Sequence, residues 1–133
     1  MKKYFLGQVT QKAILKYKNT VVIVREKNQK EWILPGGRLD YGEKPEEGLK
    51  REIQEELSVD CVIKSMDSLD VYHSEDKVKT PKLFIFYTAK ILPQEEIAIN
   101  HEIEEVRYVS KKRDIVELPM FDNQRKALEK FLK

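Results

Sequence analysis

The chain has 133 residues, 41% of them apolar and 36% charged, which is the composition of a globular protein with one hydrophobic core, and we read residues 1–133 as one domain. Its 25 Lys and Arg against 23 Asp and Glu leave a formal net charge of +2, too slight a bias to imply nucleic-acid or membrane binding by itself. The apolar run at the N-terminus is too short for a signal peptide, and the longest aliphatic run, residues 21–24, cannot span a bilayer.

Residues 5–17 alternate loosely and predict a first strand, with Val9, Ala13 and Leu15 among its core positions. A turn at residues 18–20 leads to a buried strand over 21–25, and a second turn at 27–30 leads to a short strand over 31–34. Pro35, Gly36 and Gly37 then break the strand, and the two glycines allow a close backbone approach. A loop over 38–43 precedes a helix over 44–57. Ser58 follows the helix, and serine is less comfortable than glycine in a left-handed C-terminal turn.

Residues 61–73 predict a strand bent near 65–68, 74–80 a polar hairpin loop, and 83–89 the most β-prone run and hence a central strand ended by Pro93. Cys61, the only cysteine, excludes an internal disulfide and makes a reducing cytoplasm the expected compartment. Its expected role is a small buried hydrophobe at a strand start. Another short strand covers 104–109. A closing amphipathic helix covers 122–132, with Leu128, Phe131 and Leu132 facing inward. Lys111, Lys112 and Arg113 read as a solvated loop. Strands, a long helix, more strands and a final helix make an α/β fold, an α/β/α sandwich on a mixed β-sheet.

The helix at 44–57 carries the chemistry. Pro45 suits its first turn, and Leu49, Ile53 and Leu57 form its apolar stripe. Gly48, inside the helix, costs about 1 kcal/mol relative to Ala, which close packing against a neighbouring backbone would offset. Glu52, Glu55 and Glu56 share another face. Like charges spaced three or four residues apart repel by roughly 0.2–0.5 kcal/mol per pair. A cation is therefore expected among them, and hard carboxylate oxygens suit Mg²⁺ or Mn²⁺.

Gly37, Glu43, Arg51, Glu52, Ile53, Glu55, Glu56 and Val59 stand at the spacings of the Nudix box, approached through Trp32, Ile33, Leu34, Pro35, Gly36 and Gly37. On these residues the chain resembles the Nudix hydrolases. It departs at Ser58, where that family has glycine, which puts the helix cap in question but not the chemistry. The resemblance implies a Nudix-type sandwich fold. It also implies Glu52, Glu55 and Glu56 as metal ligands, completed by a backbone carbonyl of Gly36 or Gly37. Arg51 can pair with Glu55 along the helix and hold Glu43 from the loop, so its expected task is to orient the acids; Glu43 either binds metal through water or braces the loop. The same resemblance implies a general base from the box or from a later acidic segment, where Glu102 and Glu105 are the candidates. For each of these the competing reading is an exposed acidic turn. His73 and His101 are isolated and read as surface or hydrogen-bonded histidines. Rings at Tyr4, Phe5, Tyr17, Tyr72 or Tyr87 would stack on a base, though core or strand surface explains each more simply. Asn123 occupies a place comparable to the purine-reading asparagine of MutT-type enzymes. A helix N-cap at Asp122 or Asn123 is the preferred reading.

The function these residues imply is divalent-metal-dependent hydrolysis of a phosphoanhydride bond in a nucleoside triphosphate or related nucleoside diphosphate derivative, as in a MutT-like pyrophosphohydrolase. The alternatives are an ADP-ribose or nucleotide-sugar pyrophosphatase, and a non-catalytic nucleotide-binding regulator. The expected partner is a small-molecule nucleotide. The basic residues form no continuous stripe, which argues against a polynucleotide, and no membrane partner is expected. Monomer and homodimer both remain open.

Overall fold

A computed structural model describes residues 4–73 and 80–133; the hairpin loop expected over 74–80 falls, but for Thr80, outside the described residues. In chain order the elements are β1 (Gln8–Tyr17), β2 (Thr20–Glu26), β3 (Trp32–Ile33), β4 (Gly36–Arg38), α1 (Pro45–Leu57), β5 (Cys61–Tyr72), β6 (Lys82–Ile91), β7 (Ile103–Val109), a single 3₁₀ turn (Lys112–Asp114) and α2 (Asp122–Glu129). The strands share one mixed sheet ordered β3-β2-β1-β6-β5, with β4 paired to β1 and β7 paired to β2. The β1–β6 pairing is parallel.

Alternation along the strands sends side chains to two opposite faces. Ala13, Leu15, Val22, Val24, Tyr87 and Ile91 pack with Leu49, Ile53 and Leu57 of α1. Ile14, Val21, Ile23, Phe84 and Phe86 pack with Ala127, Leu128 and Leu132 on the other side. The sheet therefore lies between the two helices, the expected α/β/α sandwich. The three apolar residues of α1 are fully buried, each contributing about 1.5–3 kcal/mol. Cys61 is buried at the start of β5, and that burial pushes its thiol pKa up. The predicted bend in β5 appears as two register shifts, at Ile63/Ser65 and Met66/Ser68.

Three local expectations change. First, the segment after Pro35 is a strand, because Gly36–Arg38 pairs with the first half of β1 through Lys12↔Gly36, Gln11↔Gly37 and Thr10↔Arg38. β2 pairs with β1 only from Leu15 onward, which leaves that half of β1 free to take β4. Second, the space above Gly48 is limited by side chains, not backbone: a Cβ there would meet Leu39 at 2.8 Å and Glu43 at 3.0 Å. Third, α2 ends at Glu129 and its N-cap is Phe121, with no side-chain cap. Asp122 and Asn123 fall inside the first turn, so the preferred N-cap reading of these residues is overturned.

Two positions make the fold testable. Gly36 has φ +131°, and a Cβ there would stand 2.0 Å from the Gln11 carbonyl oxygen. Gly36→Ala should therefore lower the melting temperature sharply; a melt within a degree or two of wild type would contradict this close approach. Ser58 takes the left-handed conformation anyway, at φ 58°, and its N–H closes on the Gln54 carbonyl. Relieving that strain with Ser58→Gly should add roughly 0.5–1 kcal/mol in a denaturant titration, and a loss of stability would refute the strain.

Candidate active site

The acids of α1 are gathered by Arg51. Its guanidinium binds both oxygens of Glu43, Nε to Oε2 at 2.7 Å and Nη2 to Oε1 at 3.0 Å. Nη1 reaches Glu52 and Glu55, each at 3.1 Å, and Nη2 also lies 3.2 Å from Asp40. Glu52 and Glu55, with Glu43 from the loop, are thus bound to one cation, and Glu56 is not. The hydrogen bond from Arg51 holds the Glu43 carboxyl below the usual carboxylate range. Glu43 also accepts the Asp40 N–H at 2.8 Å, so it braces the loop between β4 and α1.

Glu56 points into the sheet and is 6% exposed. Its Oε1 accepts the Gly36 N–H at 2.8 Å. Burial pushes its pKa up to about 7, against the pull of Lys12 and of that hydrogen bond. Burial likewise raises the pKa of Glu52. The Glu52 carboxyl lies close to Gly37: a Cβ there would approach it to 2.6 Å, and the end of the Glu52 side chain would have to shift. Lys12, also buried, donates to the Gly36 carbonyl at 3.4 Å, and burial lowers its pKa despite the nearby Glu56, Glu26 and Glu52.

These groups form one wall of a cleft of about 1180 Å³. Glu52, Glu55, Glu56, Gly36 and Gly37 all line it, and so do Glu102 and Asn123. Arg51 and Glu43 stand behind that wall. The Asn100 N–H donates to the Glu56 carbonyl at 3.2 Å, and the Asn100 side chain accepts the Glu102 N–H at 2.9 Å, which ties the later acidic segment to the end of α1. Glu105 does not line the cleft. It pairs with Arg25 at 3.0 Å and Arg107 at 3.8 Å, because β7 lies against β2 and turns that side chain toward their arginines, which corrects its candidacy as a base.

Of the rings considered from sequence, Tyr72 lines the cleft, whereas Tyr17 bonds the Glu95 carbonyl and Tyr87 bonds Gln11. His73 lines the cleft and meets Phe5 edge-on, and His101 is exposed away from it. Sequence reasoning missed Lys12, Thr10, Phe84 and Phe121, all of which line the cleft. The legible signal was Lys12, a charge in the middle of an otherwise buried strand.

The donor set fits a hard divalent cation: carboxylates and glycine carbonyls, one carboxylate buried, with a cradle at Gly37 that a Cβ would fill. Among the described residues no three acidic, histidine or cysteine side chains converge into a finished cage.

The raised Glu56 pKa has a definite sign. A proton held more tightly in the folded chain contributes stability below the ordinary carboxylate pKa of 4.5 and loses it as pH rises through about 7. Metal-free protein should therefore melt lower as pH climbs across that window, and Glu56→Gln should flatten the dependence. An unchanged slope in the variant would contradict the burial argument. Arg51→Met should cut divalent-ion affinity by roughly 10–100-fold, as loss of an orienting partner does; undiminished affinity in calorimetry would remove Arg51 from that role.

Residues 10–131 match the sequence model of the NUDIX domain family. No curated protein sequence matches significantly. The structure is similar to a MutT NUDIX hydrolase from Burkholderia pseudomallei, at TM-score 0.76 and 21% identity over 92% of this chain and 95% of that one. A C. elegans Ap4A hydrolase superposes with TM-score 0.76 at 18% identity, covering 93% of this chain and 94% of that one. A UDP-X diphosphatase superposes with TM-score 0.73 at 18% identity over 98% of this chain, which spans 61% of that protein's length. Identities this low speak for the fold, and the family rests on the sequence match together with the box residues on the cleft wall. The chain belongs to the Nudix family of hydrolases.

Proposed function

We propose that the cleft hydrolyses a phosphoanhydride bond in a nucleoside triphosphate or a related nucleoside diphosphate derivative, a MutT-like pyrophosphohydrolase reaction dependent on Mg²⁺ or Mn²⁺. The carrying observation is that Glu52, Glu55, Glu56 and the glycines of β4 share one wall of a single cleft, with Arg51 bound behind them. These groups would hold a divalent cation, which when bound would neutralise charge on the phosphate oxygens and lower the pKa of water.

The chain's own residues do the rest. Arg51 keeps Glu52 and Glu55 turned to the same side of α1, and the Gly36 N–H fixes Glu56. Water attacks phosphorus, the bridging P–O bond breaks in line, and the water proton passes to a carboxylate. Glu102, on the cleft wall, is the base we assign, in preference to Glu105, which is engaged by two arginines. Asn123 and the ring of Phe121 are assigned to the nucleoside, since both line the end of the cleft at α2.

The names of an Ap4A hydrolase and a UDP-X diphosphatase among the structural neighbours support a phosphoanhydride as the bond cut. No helix among the described residues is long and apolar enough to cross a membrane.

The test is phosphate or pyrophosphate release over a panel of nucleoside triphosphates, oxidised nucleotides, ADP-ribose, nucleotide sugars and dinucleoside polyphosphates, with Mg²⁺ and Mn²⁺ compared. Turnover should require the divalent ion, and Glu56→Gln should reduce it by orders of magnitude with the fold retained. Tight nucleotide binding without turnover on any member would replace the enzyme reading with that of a regulator.

A further inference from the structure

The floor of the cleft is made by β1 and β6 lying side by side. Gln8, Thr10 and Lys12 alternate onto the cleft face of β1, and their register partners include Lys82 opposite Gln8 and Phe84 opposite Thr10. Thr10 is 6% exposed, and its Oγ1 has no hydrogen-bond partner among the described residues. A buried hydroxyl in that state costs about 1–3 kcal/mol. Its cross-strand neighbour Phe84 offers no polar atom to satisfy it. Lys12, two residues along, has one hydrogen bond, to the Gly36 carbonyl at 3.4 Å, which uses one of its three N–H donors.

The row is thus donor-rich and ends in a lysine at each side. At the usual strand rise it spans roughly 13 Å from Lys12 to the level of Lys82. That is longer than a single phosphoryl group. It starts beside the acids, since Lys12 lies in the field of Glu56, Glu26 and Glu52. Asp70, paired with Phe84 from β5, stands two strands from Thr10, roughly 10 Å. A carboxylate at that distance accepts from a hydroxyl or amine of the ligand and leaves the lysine row to the anion.

We propose that Lys12, Thr10 and Lys82 form a phosphate-binding row that holds phosphoryl groups beyond the bond being cut, so that the substrate carries a chain of three or more phosphates. This rests on the phosphoanhydride reading above and narrows its substrate class away from two-phosphate nucleotide sugars.

Calorimetric titration of the full chain at fixed Mg²⁺, with inorganic tripolyphosphate, pyrophosphate and a nucleoside as separate probes, tests it. Tripolyphosphate should bind, and Thr10→Val and Lys82→Met should each weaken it about tenfold, with a smaller effect on pyrophosphate. Thr10→Ser, which keeps the hydroxyl, should bind like wild type, a rescue that a merely structural role would not produce. Unchanged tripolyphosphate affinity in Thr10→Val and Lys82→Met would overturn the proposal. So would a Thr10→Val loss confined to the nucleoside. Metal-dependent hydrolysis persisting beside either result would leave the phosphoanhydride reading intact, whereas tripolyphosphate binding as expected without any hydrolysis would remove that reading alone.

Discussion

Arg51 is the group on which the arrangement of the site depends. A helix that places Glu52, Glu55 and Glu56 together has a repulsion to relieve, and a guanidinium with five donors in a fixed fork suits several carboxylates at once. Arg51 spends those donors on Glu43, Glu52 and Glu55, with Asp40 within ion-pair distance. Individually, exposed pairs of this kind are worth little, about 0–1 kcal/mol. Their consequence is positional: the loop after β4 is fastened to α1, and two of the acids are turned to one side. The desolvation and hydrogen bonds around Arg51 act in opposite directions, and the bonds, Glu43 first, prevail to push its pKa up.

The second constraint is the meeting of α1 with β4. Gly36 approaches the backbone of β1, and Gly37 leaves space for the Glu52 carboxyl. The Gly36 contact is closed to any residue with a Cβ and so sets how near β4 comes to β1, whereas a Cβ at Gly37 would displace the flexible end of Glu52. Glu56 and Lys12 are buried together at that junction. Taking two such groups out of water is costly. Their survival at the head of a cleft fits a role in binding a charged ligand better than a role in holding the fold.

The rest of the cleft is built from other elements. The cleft continues from α1 across β1 and β6, where Phe84 lines it, to the start of α2, where Phe121 and Asn123 line it. Phe84 stacks parallel to Phe86, 6.0 Å between ring centres, so one ring is anchored in the core while the other forms the floor. The wall of acids and the floor of strand residues thus belong to different parts of the fold and can vary separately.

The acidic wall was legible in the amino-acid order because helical periodicity brings residues three and four apart together. Glu52, Glu55, Glu56 and the pairing of Arg51 with Glu55 needed no tertiary information. The strands, the long helix and the two-sided core were legible for the same reason, as periods of two and 3.6 carry them. What lies between distant segments was not. That Gly36–Arg38 is a strand follows from the free half of β1, and that Glu105 faces arginines follows from β7 lying on β2. The α2 cap, the reach of Arg51 to Asp40, and the gathering of Thr10, Lys12 and Lys82 on one floor were decided by pairing register and burial. Those depend on which strands meet, and a parallel β1–β6 contact joins residues too far apart in the chain for any local pattern to record it.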